Sequence, residues 1–182
     1  AWQASIAYAN DRLQGRAMSG VKEPGKAADP IIVHPDVRRM LLTQKAFVEG
    51  GRVLCFLTGR EIDSAHLNPD PQARQASNDL IAFLTPIVKG FLTEAAMEVT
   101  SLAVQIHGGH GFIRQTGVEQ LMRDARITPI YEGTNGIQAI DLVGRKLLRD
   151  GGATVAAFVS DMRAVDAPLA NAGEELVVVR QA

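Results

Sequence analysis

Two long apolar stripes at helical spacing, joined by a proline-rich turn, dominate this chain of 182 residues. In the first, Val37, Met40, Leu41, Val48, Leu54, Cys55 and Ile62 recur at close to helical intervals. In the second, Leu80, Leu84, Ile87, Phe91, Ala95, Val99, Leu102 and Ile106 do the same. Asn68-Pro69-Asp70-Pro71 separates them and reads as a turn. Each stripe spans about thirty residues, roughly 45 Å of helix. Long helices joined so tightly run antiparallel. The spacing therefore predicts an all-α fold, an up-down antiparallel four-helix bundle with additional short helices. No period-2 alternation, hairpin signal or internal repeat competes with that reading.

Local signals refine the pattern. The first long helix starts near His34-Pro35, with proline in the tolerated first turn. Gly50-Gly51 in its middle predicts local weakening, or close approach of a neighbouring helix. Ser77 reads as the N-cap of the second long helix and Pro86 as a kink or break within it. Upstream, Ile6, Ala9, Leu13 and Ala17 predict a helix over 1–17, followed by a glycine- and proline-punctuated loop from Met18 to Pro30. Downstream, Gly108-Gly109-His110-Gly111 ends the second long helix, and a short helix falls at about 117–126. Thr128 to Asn135 is non-helical. Thr134 or Asn135 caps a helix carrying Ile137, Ile140, Val143 and Leu147 on one face, which ends at Gly151-Gly152. A last helix is predicted over 153–170. The tail with Val177-Val178-Val179 fits either a strand or a helix end.

Composition narrows the function classes. Lys+Arg 19 against Asp+Glu 20 supplies no general pull toward nucleic acid or an anionic membrane. No uninterrupted apolar run reaches about 18 residues, so no membrane span is expected. The single cysteine, Cys55, excludes an intrachain disulfide and a Cys-rich zinc site, and is compatible with a cytoplasmic location. The first residues lack the basic flank and apolar run of a secretory signal. The chain begins in the middle of an amphipathic pattern and is expected to be a piece of something longer.

Few residues suggest chemistry by themselves. Gly109-His110-Gly111-Phe112-Ile113-Arg114 is no dinucleotide fingerprint, because Arg114 stands at the last glycine and no strand precedes it. A sharp helix end explains it better than ligand contact. His107 and His110 are three apart, but the glycines between them remove the helix that would align the rings, and no metal is expected. Arg12 and Arg16 suit an anionic ligand, or form a solvated helix face. Glu132 lies between Tyr131 and Gly133. Apolar neighbours would desolvate its carboxyl and make it a stronger base, while an exposed turn glutamate is the plainer alternative.

Three segments change the weighing. Ala103-Val104-Gln105-Ile106-His107-Gly108-Gly109-His110-Gly111-Phe112, Leu121-Met122-Arg123-Asp124-Ala125-Arg126-Ile127 and Ile130-Tyr131-Glu132-Gly133-Thr134-Asn135-Gly136-Ile137-Gln138 together resemble the C-terminal helical domain of the acyl-CoA dehydrogenase family. The loop at 18–33 and the run from Ile32 to Leu42 are similar to its longer branch, which includes 3-methylmercaptopropionyl-CoA dehydrogenase-like enzymes. The resemblance implies a helical bundle at 1–150 and, at 151–182, the start of an additional C-terminal helical region or tail.

It also implies a site. In the family, FAD and an acyl-CoA lie between an N-terminal helical domain, a middle β-domain and this bundle. A glutamate takes the α-proton of the thioester, the β-hydrogen leaves as hydride to the flavin, and a trans-2-enoyl-CoA results. Glu132 matches that catalytic base, with its backbone N–H a donor to the developing enolate, and Tyr131 and Gly133 match the wall around the thioester. Thr134 and Asn135 match contacts to the flavin's phosphate and ribose region. Gln105, Gly108 and Gly109 match contacts to its adenosine half, often across a dimer interface, and Arg12 and Gln14 match the pyrophosphate end of the first helix. The run Arg12-Leu13-Gln14-Gly15-Arg16 lacks the family's usual Phe, and Gly136 replaces the usual acidic residue after Asn135. The partners implied are an acyl-CoA substrate, an electron-transfer flavoprotein as acceptor and further copies of the chain in a homo-oligomer. The alternative is a non-catalytic flavin-burying or dimerisation module. In either case these residues alone are expected to be inactive.

Overall fold

The computed structural model describes residues 1–147 and 149–170, and among them no β-strand is found. The helices are α1 (Trp2–Asp11), α2 (Pro35–Leu67), α3 (Pro71–His107), α4 (Gly109–Phe112), α5 (Val118–Ala125), α6 (Asn135–Asp141), α7 (Ala153–Arg163) and α8 (Asp166–Ala170). A π turn at Leu142–Lys146 follows α6, and 3-10 turns lie at Ile31–Val33 and Arg114–Thr116. The expected all-α class is the one observed.

Proline opens both long helices at a position where its missing N–H costs nothing. At α3 the preceding residue completes the start, because Asp70 Oδ1 accepts the Gln72 N–H at 2.9 Å. Asn68 Oδ1 in turn accepts the Asp70 N–H at 3.0 Å, which tightens the turn between α2 and α3.

Contacts group the described residues into two units, residues 1–57 with 88–136 and residues 58–87 with those from 137 onward. In the first, Ala9, Ile31, Met40, Leu41 and Ile106 form the buried core, with Trp2, Ile6, Val37 and Leu102 packed against it. Gln44 is fully buried and donates to the Val99 carbonyl at 2.8 Å. A Cβ at Gly51 would lie 2.9 Å from Leu92 Cδ2. Residue 44 meeting 99 and residue 51 meeting 92 define an antiparallel pair.

In the second unit, buried Ser77 donates to Glu61 Oε2 at 2.9 Å, and its hydroxyl lies 2.9 Å from Ser64 Oγ. Burial pushes the Glu61 carboxyl up, but hydrogen bonds from Arg60 and Ser77 and the Arg60 charge bring it below the usual carboxylate range. Phe83 meets Phe158 edge-on, 5.8 Å between ring centroids.

Several local expectations are corrected. The first helix ends at Asp11 rather than 17, because Leu13 pairs with Pro30 in an isolated antiparallel bridge and draws the chain out. Arg12 and Arg16 therefore do not share a helix face. α3 starts at the Asp70-Pro71 cap, so Ser77 is an interior residue, and the helix continues through Pro86. α2 is unbroken at Gly50-Gly51, where close helix approach at Gly51 is the observed explanation. The helix from Asn135 turns π-helical at Leu142, and the expected helix over 153–170 is interrupted between Arg163 and Asp166. The tail at 171–182 lies outside the described residues. Finally, although no uninterrupted apolar run is that long, α3 contains an 18-residue window of mean hydropathy 1.5, long and apolar enough by length and composition alone to cross a membrane.

Candidate functional site

The segment after α1 is built around one carboxylate. Asp29 is fully buried and accepts the N–H groups of Ala17 at 2.9 Å, Lys22 at 3.0 Å and Glu23 at 2.8 Å, plus Arg16 Nη1 at 3.2 Å. Burial would raise its pKa, yet these bonds together hold it at about 2. Arg16 also donates to the Glu23 and Lys26 carbonyls, so its guanidinium is engaged in holding this loop.

That loop presents Arg12 and Gln14 to the end of α3. The Ile31 N–H returns to the Arg12 carbonyl at 2.8 Å and the Gln14 N–H to the Asp29 carbonyl at 2.9 Å. His34 Nε2 donates to the Gln14 carbonyl at 2.7 Å. Opposite, α3 ends at His107, which is buried, donates through Nδ1 to the Ala103 carbonyl and stacks on Tyr8. Gly108 then takes φ 57°, ψ −136°, a conformation suited to glycine. A Cβ at Gly111 would lie 2.4 Å from the Val104 carbonyl oxygen, so only glycine fits there.

The result is a cleft of about 450 Å³ lined by Arg12, Gln14, Gln105, Gly108 and Gly109, five of the residues singled out in the sequence. Tyr8, His34 and His110 also line it. Its donors suit a phosphate- and hydroxyl-rich ligand. Arg12 is exposed, and nothing stands within 4 Å of the Cβ positions of Gly108 and Gly109, so their backbone can be approached closely.

The other predicted residues lie elsewhere in the same unit. After α5, turns bring Pro129 into burial, and its carbonyl accepts the Asn135 N–H at 3.1 Å. The short arc so closed carries Tyr131, Glu132 and Gly133. Glu132 has φ 53°, the single non-glycine residue with positive φ among the described residues, and Gly133 follows at φ 84°. A side chain in that conformation costs about 1–2 kcal/mol, so the surroundings must hold it. Glu132 is exposed and Tyr131 half exposed, and neither lines the cleft. Apolar enclosure of Glu132 is therefore not supplied by the described residues.

α3 holds the arc. Lys89 Nζ donates to the Gly133 carbonyl and to Asn135 Oδ1, each at 2.8 Å. Asn135 Nδ2 donates to Glu94 Oε1 at 2.8 Å and to Thr93 Oγ1 at 2.9 Å. Both ends of the Asn135 amide are thus committed to α3. Thr134 is exposed beside it, at the start of α6. Lys89 and Gln105, which support the arc and the cleft respectively, lie roughly 24 Å apart along α3.

Sequence reasoning missed Lys89, Glu94, His34 and Asp29. A lone lysine inside the apolar stripe of α3 was the available signal for the first. Asp29 looked like one more residue of a polar loop.

With this geometry in hand, similarity to known proteins is decisive at the family level. The family profile described as acyl-CoA dehydrogenase, C-terminal domain, matches residues 3–148. The chain belongs to the acyl-CoA dehydrogenase family. It is 53% identical over 173 residues to the 3-methylmercaptopropionyl-CoA dehydrogenase of Ruegeria pomeroyi, covering 95% of this chain and 29% of that protein. It is 38% identical over 156 residues to the broad-specificity linear acyl-CoA dehydrogenase FadE5 of Mycobacterium tuberculosis, covering 84% of this chain and 25% of that one. Among solved structures, butyryl-CoA dehydrogenase from Megasphaera elsdenii matches with TM-score 0.59 and 28% identity, over 80% of this chain and 32% of that chain. Caenorhabditis elegans ACDH-11, solved with C11-CoA, shares the fold with TM-score 0.75 at 19% identity, over 93% of this chain and 26% of that chain. The chain thus spans about a quarter to a third of the length of these relatives.

Proposed function

We propose that this chain is the base-bearing part of an FAD-dependent acyl-CoA dehydrogenase that converts an acyl-CoA thioester to a trans-2-enoyl-CoA. The observation that carries the reading is Glu132, held at φ 53° in an arc fastened to α3, in a chain that belongs to this family. The names of the relatives support an acyl-CoA as the substrate class.

In this reading the Glu132 carboxylate takes the α-proton. A thioester α-C–H is a weak acid, so the base must be held against it and shielded from water. The Glu132 N–H donates to the thioester oxygen as enolate charge develops there. Tyr131 and Gly133 shape the wall, and the small Gly133 leaves room for close approach. Bound FAD supplies the acceptor for the hydride leaving the β-carbon, and the electrons then pass to an electron-transfer flavoprotein. The exposure of Glu132 fits closure by the rest of the enzyme.

Arg12, Gln14, Gln105, Gly108 and Gly109 hold the phosphate and adenosine end of the cofactor. The roughly 24 Å along α3 between cleft and base-bearing arc suits a cleft serving the cofactor of a neighbouring copy in a homo-oligomer. Thr134 would contact the flavin's ribose and phosphate region, and Asn135, its amide committed to α3, would serve that contact by fixing the arc. The enzyme works in the cytoplasm.

The test mixes the full-length, FAD-loaded protein with acyl-CoA thioesters of several chain lengths without oxygen. Flavin bleaching with release of a trans-2-enoyl-CoA is expected. A protein that binds FAD but stays oxidised with every thioester, or never binds FAD, overturns the reading.

A further inference from the structure

We propose that Lys89 is a positioning residue for the Glu132 base, acting through Gly133 and Asn135; the inference rests on the reading of Glu132 given above. An ammonium group has three donors. Lys89 gives one to the carbonyl of Gly133, the residue that follows Glu132, and another to Asn135 Oδ1, each at 2.8 Å. These two oxygens lie on either side of Thr134, just after the base.

The second half of the clamp fixes the first. Asn135 Nδ2 faces the Glu94 carboxylate at 2.8 Å, while Oδ1 faces the Lys89 ammonium. A flipped amide would set its N–H groups against a cation and its oxygen against an anion, so the surrounding charges select one orientation. Thr93, one turn beyond Lys89 on α3, accepts from Nδ2 at 2.9 Å. Lys89, Thr93 and Glu94 thus present one polar strip of a rigid helix to the arc. Positive φ at Glu132 is unfavourable for a side chain, and an arc released from this strip relaxes toward ordinary backbone angles. The carboxylate and the N–H of Glu132 then move together. The loss falls on proton removal rather than on thioester binding.

The experiment uses the full-length, FAD-loaded enzyme and an acyl-CoA analogue with sulfur in place of the β-carbon, which exchanges its α-proton but has no β-hydride to give. Exchange in D2O, flavin content and analogue Kd are measured for wild type, Lys89→Met, Lys89→Arg and Glu132→Gln. In Lys89→Met, exchange should fall about 100-fold with flavin content and Kd unchanged within about threefold. Lys89→Arg, which keeps charge and donors, should recover about tenfold of that loss. Unchanged exchange in Lys89→Met overturns the proposal, as does a parallel fall of exchange, flavin content and affinity, the mark of a merely structural role. Normal exchange in Glu132→Gln sinks the reading of the base itself, whatever Lys89 does.

Discussion

Tyr8 and His107 stack with ring centroids 4.2 Å apart and planes 26° apart. Tyr8 belongs to α1 and His107 is the last residue of α3, so the pair ties the start of the chain to the glycine turn. The Tyr8 hydroxyl lies 3.3 Å from His110 Nδ1 on the far side of that turn. Tyr8→Ala should destabilise the chain by about 2 kcal/mol, since it loses ring stacking as well as apolar burial. Tyr8→Phe, which keeps the ring, should cost less than about 1 kcal/mol. Urea unfolding of both variants checks this, and equal losses would contradict it.

Asp29 predicts a pH dependence with a definite sign. Its folded pKa, about 2, is depressed below its ordinary value of 3.8. The stability it contributes is present above 3.8 and is lost as pH falls toward 2. Unfolding midpoints followed from neutral pH down to about 2 should drop more steeply for wild type than for Asp29→Asn. Parallel curves would show that the carboxylate is not the source.

Gly111→Ala places a methyl group 2.4 Å from the Val104 carbonyl oxygen and 2.9 Å from the His107 Cβ. Backbone on one side cannot yield as a flexible side chain would, so a loss of about 1–3 kcal/mol is expected. Gly109→Ala meets nothing within 4 Å and should cost less. The two melting curves, compared side by side, decide it.

The described residues leave Phe56, Leu67 and Phe112 more than three-quarters exposed. Surfaces of that kind favour association. Sedimentation of the chain alone should show self-association that weakens on Phe56→Ser or Phe112→Ser, and a clean monomer at micromolar concentration would contradict it.

Periodicity made the long helices legible because α2 and α3 each keep one apolar face over many turns. The proline-opened start of α2 was legible, but that of α3 was not, because the Ser77 hydroxyl reads locally as a cap while Asp70-Pro71 reads as part of a turn. What separates them is a tertiary fact: Ser77 is buried against Glu61, sixteen residues earlier in the chain. The helix over 1–17 failed for a related reason. Leu13 has helical spacing, yet pairing with Pro30 and the Asp29 cage outweigh the local preference. The Tyr131–Gly133 segment was singled out through family resemblance, not through spacing. Lys89 was not, because its acceptors lie 44 and 46 residues away and nothing local marks them.

Removal of the α-proton by Glu132 stands or falls with one substitution. In the full-length, FAD-loaded protein, Glu132→Gln keeps the size of the side chain and removes its basicity. Flavin content should stay near wild type while the rate of flavin reduction by an acyl-CoA falls by about 1,000-fold or more. Flavin reduction at the wild-type rate in that variant would contradict the account and move the base to another residue.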